Sequence, residues 1–150
     1  MDRRKFPLFI DLHGRPVVLC GGGKIAARRA ATLALFGPEL TVIAPEIAPE
    51  IRALPGVRCI ETPCDPAHLP EAVLVLAATD DPAVNAAVAA ACRARGVPVN
   101  NASDQAQCDF QFPAVAVRGD LVAGINAGGT DHSLVRRAAA AIRKLWEETV

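Results

Sequence analysis

Val17–Gly37, VVLCGGGKIAARRAATLALFG, runs a short apolar stretch into three consecutive glycines and then into a segment with helical periodicity. A buried strand, a tight turn and a helix account for this order, because apolar β-branched residues suit a strand and Gly37 supplies a helix stop. The predicted helix covers 24–36. The segment alone leaves two interpretations of the turn: it holds a phosphate group, or it is only a tight corner between strand and helix.

Strand and helix signals keep alternating up to residue 102. Two more helices are predicted near 47–54 and over 82–95; each is followed by a glycine, and Asp81 with Pro82 starts the second. Strands that alternate with helices pair in parallel through right-handed crossovers. The sequence therefore predicts a doubly wound parallel α/β sheet, with strands at 15–20, 40–44, 57–61, 72–79 and 97–102.

The pattern changes after Pro113. Two strands joined at Arg118-Gly119-Asp120 predict a hairpin, and a helix follows from residue 131. The helix places a set of apolar residues on one face by their i+4, i+4, i+3 spacing. That face must pack on the sheet domain or on a second copy of the chain, which makes a homodimer the expectation. Its residues are Leu134, Ala138, Ile142 and Leu145.

Composition limits the class of protein. The 150 residues, 51% of them hydrophobic, suit one globular domain with a small appendage. The 16 Lys and Arg balance the 16 Asp and Glu without long blocks, so neither a nucleic acid nor a membrane surface is an expected partner. The five scattered cysteines have no C-x-x-C spacing, and every apolar run is shorter than a membrane span. We expect a soluble cytoplasmic protein without a metal site.

The glycine turn matches the pattern G-x-G-x-x-A. In that pattern one glycine makes the turn, another lets backbone N–H groups approach a pyrophosphate, and the small third residue allows close packing of helix on strand. The position directly after the first strand of a β-α-β unit favours binding of a dinucleotide over a structural corner. The predicted cofactor-binding residues of the turn are Gly21, Gly22, Gly23, Lys24, Ile25 and Ala26. Lys24, Arg28 and Arg29 could serve as phosphate ligands, but for Arg28 and Arg29 a solvated helix face is the favoured interpretation.

Other cofactor contacts are predicted at the carboxyl ends of the second and fourth strands. Glu46 is the first carboxylate after the second strand and could hold the ribose hydroxyls, or it could be an ordinary first-turn helix residue. No arginine follows that strand before Arg52, so NAD is predicted rather than NADP. Ala78 and Thr79 reach the sheet edge where ligands of such folds bind.

Four segments together resemble the precorrin-2 dehydrogenase family of siroheme synthesis. The resemblance runs from Phe6 to about Leu145. It implies a Rossmann-like NAD-binding domain, 1–112, followed by a small α+β dimerisation region, 113–150, made of the hairpin and the helix. The implied reaction is NAD-dependent oxidation of precorrin-2 to sirohydrochlorin, and some members also insert ferrous iron. The segments are FPLFIDLHGRPVVLCGGGKIAARRA, LVLAATDDPAVN, VNNASDQAQCDFQFPA and GINAGGTDHSLVRRAAAAIR.

The resemblance also implies a catalytic Asp shortly after the Asn of the fifth strand. An ungapped count back from Phe110 puts Ser103 there, and a gap of one residue puts Asp104 there. Chemistry favours Asp104, because a carboxylate is ionised near neutral pH whereas a serine without a partner base is a poor proton acceptor. Both residues are candidates.

The substrate implied by the resemblance is a polycarboxylate, so cationic and polar groups should bind it. Family members often carry serines where this chain has Asn126 and Ala127. His132 is a candidate for binding substrate or metal, although a lone histidine near a helix start is more often a cap or surface residue. The predicted substrate-binding residues are Asn101, Arg118, Asn126, Gly128, Gly129, Thr130 and His132. Longer family members continue beyond the position of Val150 into another helical module. Because the substrate cleft is expected to be more open without that module, iron insertion is less expected than oxidation.

Two other functions remain open from the sequence. One is a non-catalytic NAD-sensing or scaffolding module, which would have no need of the polar residues gathered in NNASDQ. The other is a dehydrogenase for a different small molecule, because a fold does not determine its substrate.

Overall fold

The computed structural model describes residues 3–150. These residues divide into two compact units. The larger unit is Ile10–Phe110, and the smaller unit is Gln111–Val150 together with residues 3–9.

A five-stranded parallel sheet forms the larger unit. Its order is β3-β2-β1-β4-β5, so the chain winds outward from β1 in one direction and then returns to continue in the other. This is the predicted doubly wound sheet. Its switch of direction lies between β1 and β4, the place where such sheets bind ligands at the carboxyl ends of the strands. The strands are β1 Pro16–Cys20, β2 Glu39–Ile43, β3 Arg58–Ile60, β4 Leu74–Ala77 and β5 Val99–Asn101.

Three helices connect these strands: α1 Lys24–Ala34, α2 Pro49–Arg52 and α3 Pro82–Ala94. Helix α3 starts at Pro82, as predicted. The Asp81 carboxylate caps it by accepting a hydrogen bond from the Ala83 N–H at 2.9 Å. The predictions for α1 and α2 were too long. After Ala34 the chain tightens into i→i−3 hydrogen bonds that lead to Gly37 at φ +67°.

The central strand β1 is buried on both faces. Val18 and Cys20 pack on the side of α3, where they join Val88 and Cys92 in one apolar cluster. Successive side chains of a strand alternate between faces, so Val17, which is fully buried, lies on the other side. Burial on both faces explains why β1 reads as a continuous apolar run.

The smaller unit contains the predicted hairpin and helix. Strands β6, Ala114–Arg118, and β7, Leu121–Ile125, pair antiparallel, with Gly119 at φ +56° in the turn. Helix α4, His132–Thr149, packs on both strands. Its N-terminus is capped by the Asp131 carboxylate, which accepts a hydrogen bond from the Leu134 N–H at 2.8 Å.

Within the chain, helix α4 buries a stripe that lies next to the predicted one. Ala139 is buried and Val135, Ile142 and Trp146 are half-buried, at a spacing of four, three and four residues. Two residues of the predicted stripe, Leu134 and Leu145, are 49% and 54% exposed. The stripe that α4 buries within the chain is therefore centred on Ala139, one position round the helix from Ala138.

Across residues 3–150, no helix has both the length and the apolar character needed to cross a membrane.

Candidate functional site

The three glycines of the turn after β1 serve different purposes. A Cβ on Gly21, which has φ +129°, would lie 2.2 Å from the Ala78 carbonyl oxygen, and a Cβ on Gly22 would lie 2.0 Å from the Glu46 carbonyl oxygen. These two glycines are required by close backbone packing against the ends of β4 and β2. A Cβ on Gly23 would meet nothing within 4 Å among residues 3–150 other than its chain neighbours Gly22 and Lys24. Only Gly23 borders open space in which a ligand could approach the backbone.

The N-terminus of α1 lies beside this opening. Gly23 is its N-cap, and within the described chain no side chain caps it and no acidic residue stands in its first turn. The first α-helical hydrogen bond runs from the Ala27 N–H to the Gly23 carbonyl at 2.9 Å. The N–H groups of Lys24, Ile25 and Ala26 therefore precede the regular hydrogen-bonding pattern, as at any helix start. Such an uncapped N-terminus is suited to an anionic group.

Glu46 lies next to the turn, in the loop between β2 and α2. Its backbone faces Gly22, and its side chain is exposed. The alternative interpretation of Glu46 as a first-turn helix residue is wrong, because α2 begins only at Pro49. On the other side of the turn, Ala78 is buried against Gly21 and Thr79 is half-buried. The predicted cofactor-binding residues thus lie around the carboxyl ends of β1 and β4, where the strand order of the sheet reverses.

A buried amide joins the end of β4 to the loop after β5. The Asn85 side chain is fully buried, and its Oδ1 accepts hydrogen bonds from the N–H and the hydroxyl of Thr79 at 3.0 and 2.7 Å. Its Nδ2 donates to the Thr79 carbonyl at 3.1 Å and to the Ser103 hydroxyl at 3.0 Å. Asn85 is not among the residues predicted from the sequence. Asn85 precedes Val88 by three residues, and Val88 precedes Cys92 by four, so all three lie on the buried face of α3. This helical spacing was the sequence signal that Asn85 is buried.

The loop after β5 holds both catalytic candidates. Ser103 donates its hydroxyl to Asn101 Oδ1 at 2.8 Å while accepting from Asn85, so the network fixes this hydroxyl. Asp104 is exposed and caps the short 3₁₀ helix Gln105–Gln107, where it accepts from the Ala106 N–H at 2.9 Å. Both residues are exposed and differ in their partners: the Ser103 hydroxyl is bonded to two asparagines, whereas the Asp104 carboxylate caps the 3₁₀ helix.

Asn101 is built into the same network. It is buried, its Oδ1 also accepts from the Ser103 N–H at 2.9 Å, and its Nδ2 donates to Gln107 Oε1 at 2.8 Å. Both ends of the Asn101 amide therefore hold the loop, and its role in substrate binding stays a prediction.

Arg29 does not lie on a solvated helix face. Its guanidinium donates a hydrogen bond to Asn100 Oδ1, and Asn100 Nδ2 donates to the Phe110 carbonyl at 2.8 Å. Burial lowers the pKa of Arg29. The interpretation of Arg29 as solvated was wrong. The acceptor of its hydrogen bond, Asn100, lies on β5, and the helical pattern of α1 alone gives no information about contacts with that strand.

Six of the predicted substrate residues lie in the smaller unit. Asn126 Oδ1 accepts from the Gly128 N–H at 2.9 Å, and the Thr130 hydroxyl donates to the Ala127 carbonyl at 2.8 Å. These bonds and the positive φ of two glycines shape the loop before α4, which brings together Asn126, Gly128, Gly129, Thr130 and His132.

Arg118 is separate from that loop. It ends β6 at the hairpin turn, whereas Asn126 follows β7 at the opposite end of the hairpin. The Nε and Nη2 of Arg118 donate to the Val150 carbonyl at 2.9 and 2.5 Å. Among the described residues, no group of three or more His, Cys, Asp or Glu side chains is placed to hold a metal ion.

A doubly wound parallel sheet, with an open glycine turn and an uncapped helix N-terminus at its switch point, defines an α/β dinucleotide-binding domain. A family model described as "Putative NAD(P)-binding" matches residues 8–114, and the chain belongs to this NAD(P)-binding family.

The relatives are more specific. The chain is similar to the siroheme synthase of Ectopseudomonas mendocina, with 40% identity over 138 residues, which cover 91% of this chain and 30% of that protein. Its identity to the siroheme synthase of Methylobacillus flagellatus is 37% over 146 residues, 95% of this chain and 31% of the relative. The chain thus spans less than a third of the length of these curated relatives. These matches confirm the resemblance seen in the sequence.

A solved structure agrees with the sequence relatives. The fold is similar to that of "SirC, precorrin-2 dehydrogenase", with a TM-score of 0.73, 29% identity, and coverage of 94% of this chain and 71% of that one. The likeness therefore extends over the sheet, the hairpin and α4.

Proposed function

We propose that this chain oxidises precorrin-2 to sirohydrochlorin with NAD in siroheme biosynthesis. The observation that carries the proposal is the structural likeness to a precorrin-2 dehydrogenase over 94% of the chain. The larger part, 1–112, would bind NAD, and the smaller part, 113–150, would form the dimer.

NAD fits the open side of the glycine turn. Gly23 leaves room for the pyrophosphate, and the first N–H groups of α1 supply donors to it. The carboxylate of Glu46, beside the turn, suits the ribose hydroxyls and would repel the extra phosphate of NADP. Ala78 and Thr79 would line the cofactor on the β4 side. When bound, NAD supplies the acceptor for the hydride.

Asp104 is the proposed general base. Its carboxylate is exposed at the start of a 3₁₀ helix, whereas the Ser103 hydroxyl is held between two asparagines. A role for Ser103 in positioning the loop agrees with this arrangement. The loop Asn126–His132 and the cation of Arg118 are proposed to bind the carboxylates of the substrate, since both offer hydrogen-bond donors.

The dimer proposal is supported by the apolar surface of the smaller unit. Phe6, Leu8 and Phe9 are 87%, 74% and 74% exposed, and α4 exposes Leu134 and Leu145. A two-stranded hairpin with one helix buries too little surface to be stable alone. A second copy of the chain would cover these residues.

The test is to incubate the protein with NAD and freshly prepared precorrin-2, and to record NADH formation together with the sirohydrochlorin spectrum. The wild-type chain should form both. Asp104→Asn keeps the shape of the side chain but removes the base, so turnover should fall by about 10²–10⁴-fold.

Ser103→Ala is the matched control and should lose much less turnover. NAD affinity, measured separately, should stay unchanged in both variants. Full turnover in Asp104→Asn with loss in Ser103→Ala would reverse the catalytic assignment. A folded wild-type chain that binds NAD but forms no NADH would contradict the proposed activity.

A further inference from the structure

One buried amide connects two segments that have separate tasks in the proposed reaction. Thr79, just after β4, is proposed to line the cofactor, and the loop after β5 carries the proposed base Asp104. The Asn85 side chain, which extends from α3, donates to the Thr79 carbonyl at 3.1 Å and to the Ser103 hydroxyl at 3.0 Å. These three residues form the Thr79–Asn85–Ser103 bridge.

The orientation of the Asn85 amide is determined by its partners. A backbone N–H can only donate, so the atom that faces the Thr79 N–H at 3.0 Å is the amide oxygen. A backbone carbonyl can only accept, so the atom that faces the Thr79 carbonyl is the amide nitrogen. The oxygen also accepts from the Thr79 hydroxyl at 2.7 Å. Both lone pairs and both N–H groups of the amide are therefore in use, a set of bonds that needs an asparagine side chain.

The bridge acts where the sheet no longer joins the two segments. Within residues 3–150, the backbone bonds between the β4 and β5 segments end at the one from the Ala102 N–H to the Ala77 carbonyl, at 2.9 Å. Thr79 and Ser103 come after that point. A fully bonded buried amide fixes one arrangement of its partners, because any other arrangement leaves a buried polar group unpaired. The bridge therefore sets the separation of the two segments.

The restraint extends to the proposed base. The Ser103 hydroxyl donates to Asn101 Oδ1 at 2.8 Å, and Asn101 Nδ2 donates to Gln107 Oε1 at 2.8 Å. Gln107 is the last residue of the short 3₁₀ helix, and the Asp104 carboxylate caps the start of that helix. A side chain that fixes the Ser103 hydroxyl thus also restrains the Asp104 carboxylate.

We propose that Asn85 is a positioning residue for the oxidation of the substrate: it holds Thr79 and Asp104 at the separation that the reaction needs. This inference rests on the proposed function. The substrate loses a hydride to NAD and a proton to the Asp104 carboxylate, so the cofactor side and the base must reach it in one geometry. A displacement of about 1 Å can cost about 10²-fold in rate. Asn85 acts through its partners and takes no part in the proton transfer.

The first experiment compares the kinetics of Asn85→Ala and Val88→Ala. Both substitutions truncate a fully buried side chain on the same face of α3, and only Asn85→Ala removes the bridge. At equal amounts of folded protein, kcat of Asn85→Ala should fall about 10–100-fold, while its KM for precorrin-2 stays within about twofold. Val88→Ala should keep both constants. An equal fall of kcat in both variants, or a raised KM with unchanged kcat, would overturn the proposal.

Ser103→Ala cuts the bridge from its exposed end, which keeps the test valid if Asn85→Ala does not fold. Its kcat should fall about threefold, as expected for the loss of a hydrogen bond. Where both single variants fold, the double variant should lose less than the product of the two single losses, because both changes break the same bond. A loss equal to that product would show that Asn85 does not act through Ser103.

Amide hydrogen exchange tests the bridge without substrate or cofactor. The Thr79 N–H is bonded to Asn85 Oδ1, so Ser103→Ala, which frees one N–H of the same amide, should speed exchange at Thr79 about threefold. Asp104→Asn, next to Ser103 but outside the bridge, is the control and should leave this rate unchanged. Equal rates at Thr79 in the wild type and Ser103→Ala would overturn the bridge. A wild-type chain that forms no NADH would contradict the proposed function, and the exchange rates would still decide the bridge.

Discussion

Gly23 is the residue at which a side chain would change the ligand surface without disturbing the fold. Its φ of −89° is accessible to any residue, and apart from Gly22 and Lys24 no described residue lies within 4 Å of its Cβ position. In Gly23→Val the branched side chain would occupy the approach to the α1 N-terminus. NAD affinity should fall at least about tenfold, while the weaker N-cap costs about 1 kcal/mol of stability or less.

Gly22→Ala is the matched control within the same turn. Its Cβ would lie 2.0 Å from the Glu46 carbonyl oxygen, so this variant should lose about 1–3 kcal/mol of folding stability. Calorimetric titration with NAD and urea unfolding separate the two effects. Unchanged NAD affinity in folded Gly23→Val would show that the turn is only a structural corner.

At the scale of secondary-structure elements, Asn85 connects α3 to the loops after β4 and β5. Asn85→Ala removes a fully buried amide together with its hydrogen bonds to Thr79 and Ser103, at a cost of about 1–3 kcal/mol. Because the Ser103 hydroxyl is anchored through Asn85, amide hydrogen exchange of residues 103–108 should become faster.

Ala87→Gly is the control for this variant. Ala87 is exposed on the same helix, and glycine there costs about 1 kcal/mol of helix stability without touching the network. Exchange of 103–108 should stay at its wild-type rate in this control. The same exchange pattern in both variants would mean that Asn85 supports the fold generally and does not order the loop.

At the scale of the whole molecule, the dimer proposal depends on the exposed side of α4. Leu145 is 54% exposed, so Leu145→Asp should leave the free chain folded but place a charge in the proposed interface. Ile142 is less suitable for this test because it is half-buried within the chain. Sedimentation should show a dimer for the wild type, a monomer for Leu145→Asp, and a dimer for the neighbouring control Lys144→Asp. A wild-type chain that is monomeric at micromolar concentration would refute the proposal.

The kinds and order of the elements follow from local sequence signals. Apolar runs predict the strands, glycines mark the ends of helices, and Asp81 with Pro82 starts α3 because a carboxylate and a proline both suit a helix N-terminus. The alternation of these elements was sufficient for the doubly wound sheet, since parallel strands need helical crossovers. The glycine pattern after β1 likewise predicted the tight turn between β1 and α1.

Contacts between distant parts of the chain decided the remaining features. The Glu46 and Ala78 carbonyls crowd Gly22 and Gly21, and this leaves Gly23 as the glycine of the turn that a ligand can approach. The position of the Ser103 hydroxyl is set by its hydrogen bond from Asn85, which lies in α3. The side that α4 buries depends on the hairpin. The sequence by itself determined the strands, helices and turn, because their signals are spacings along the chain. Only the tertiary structure decided which polar and apolar groups meet, because burial and hydrogen bonding are set by neighbours in space.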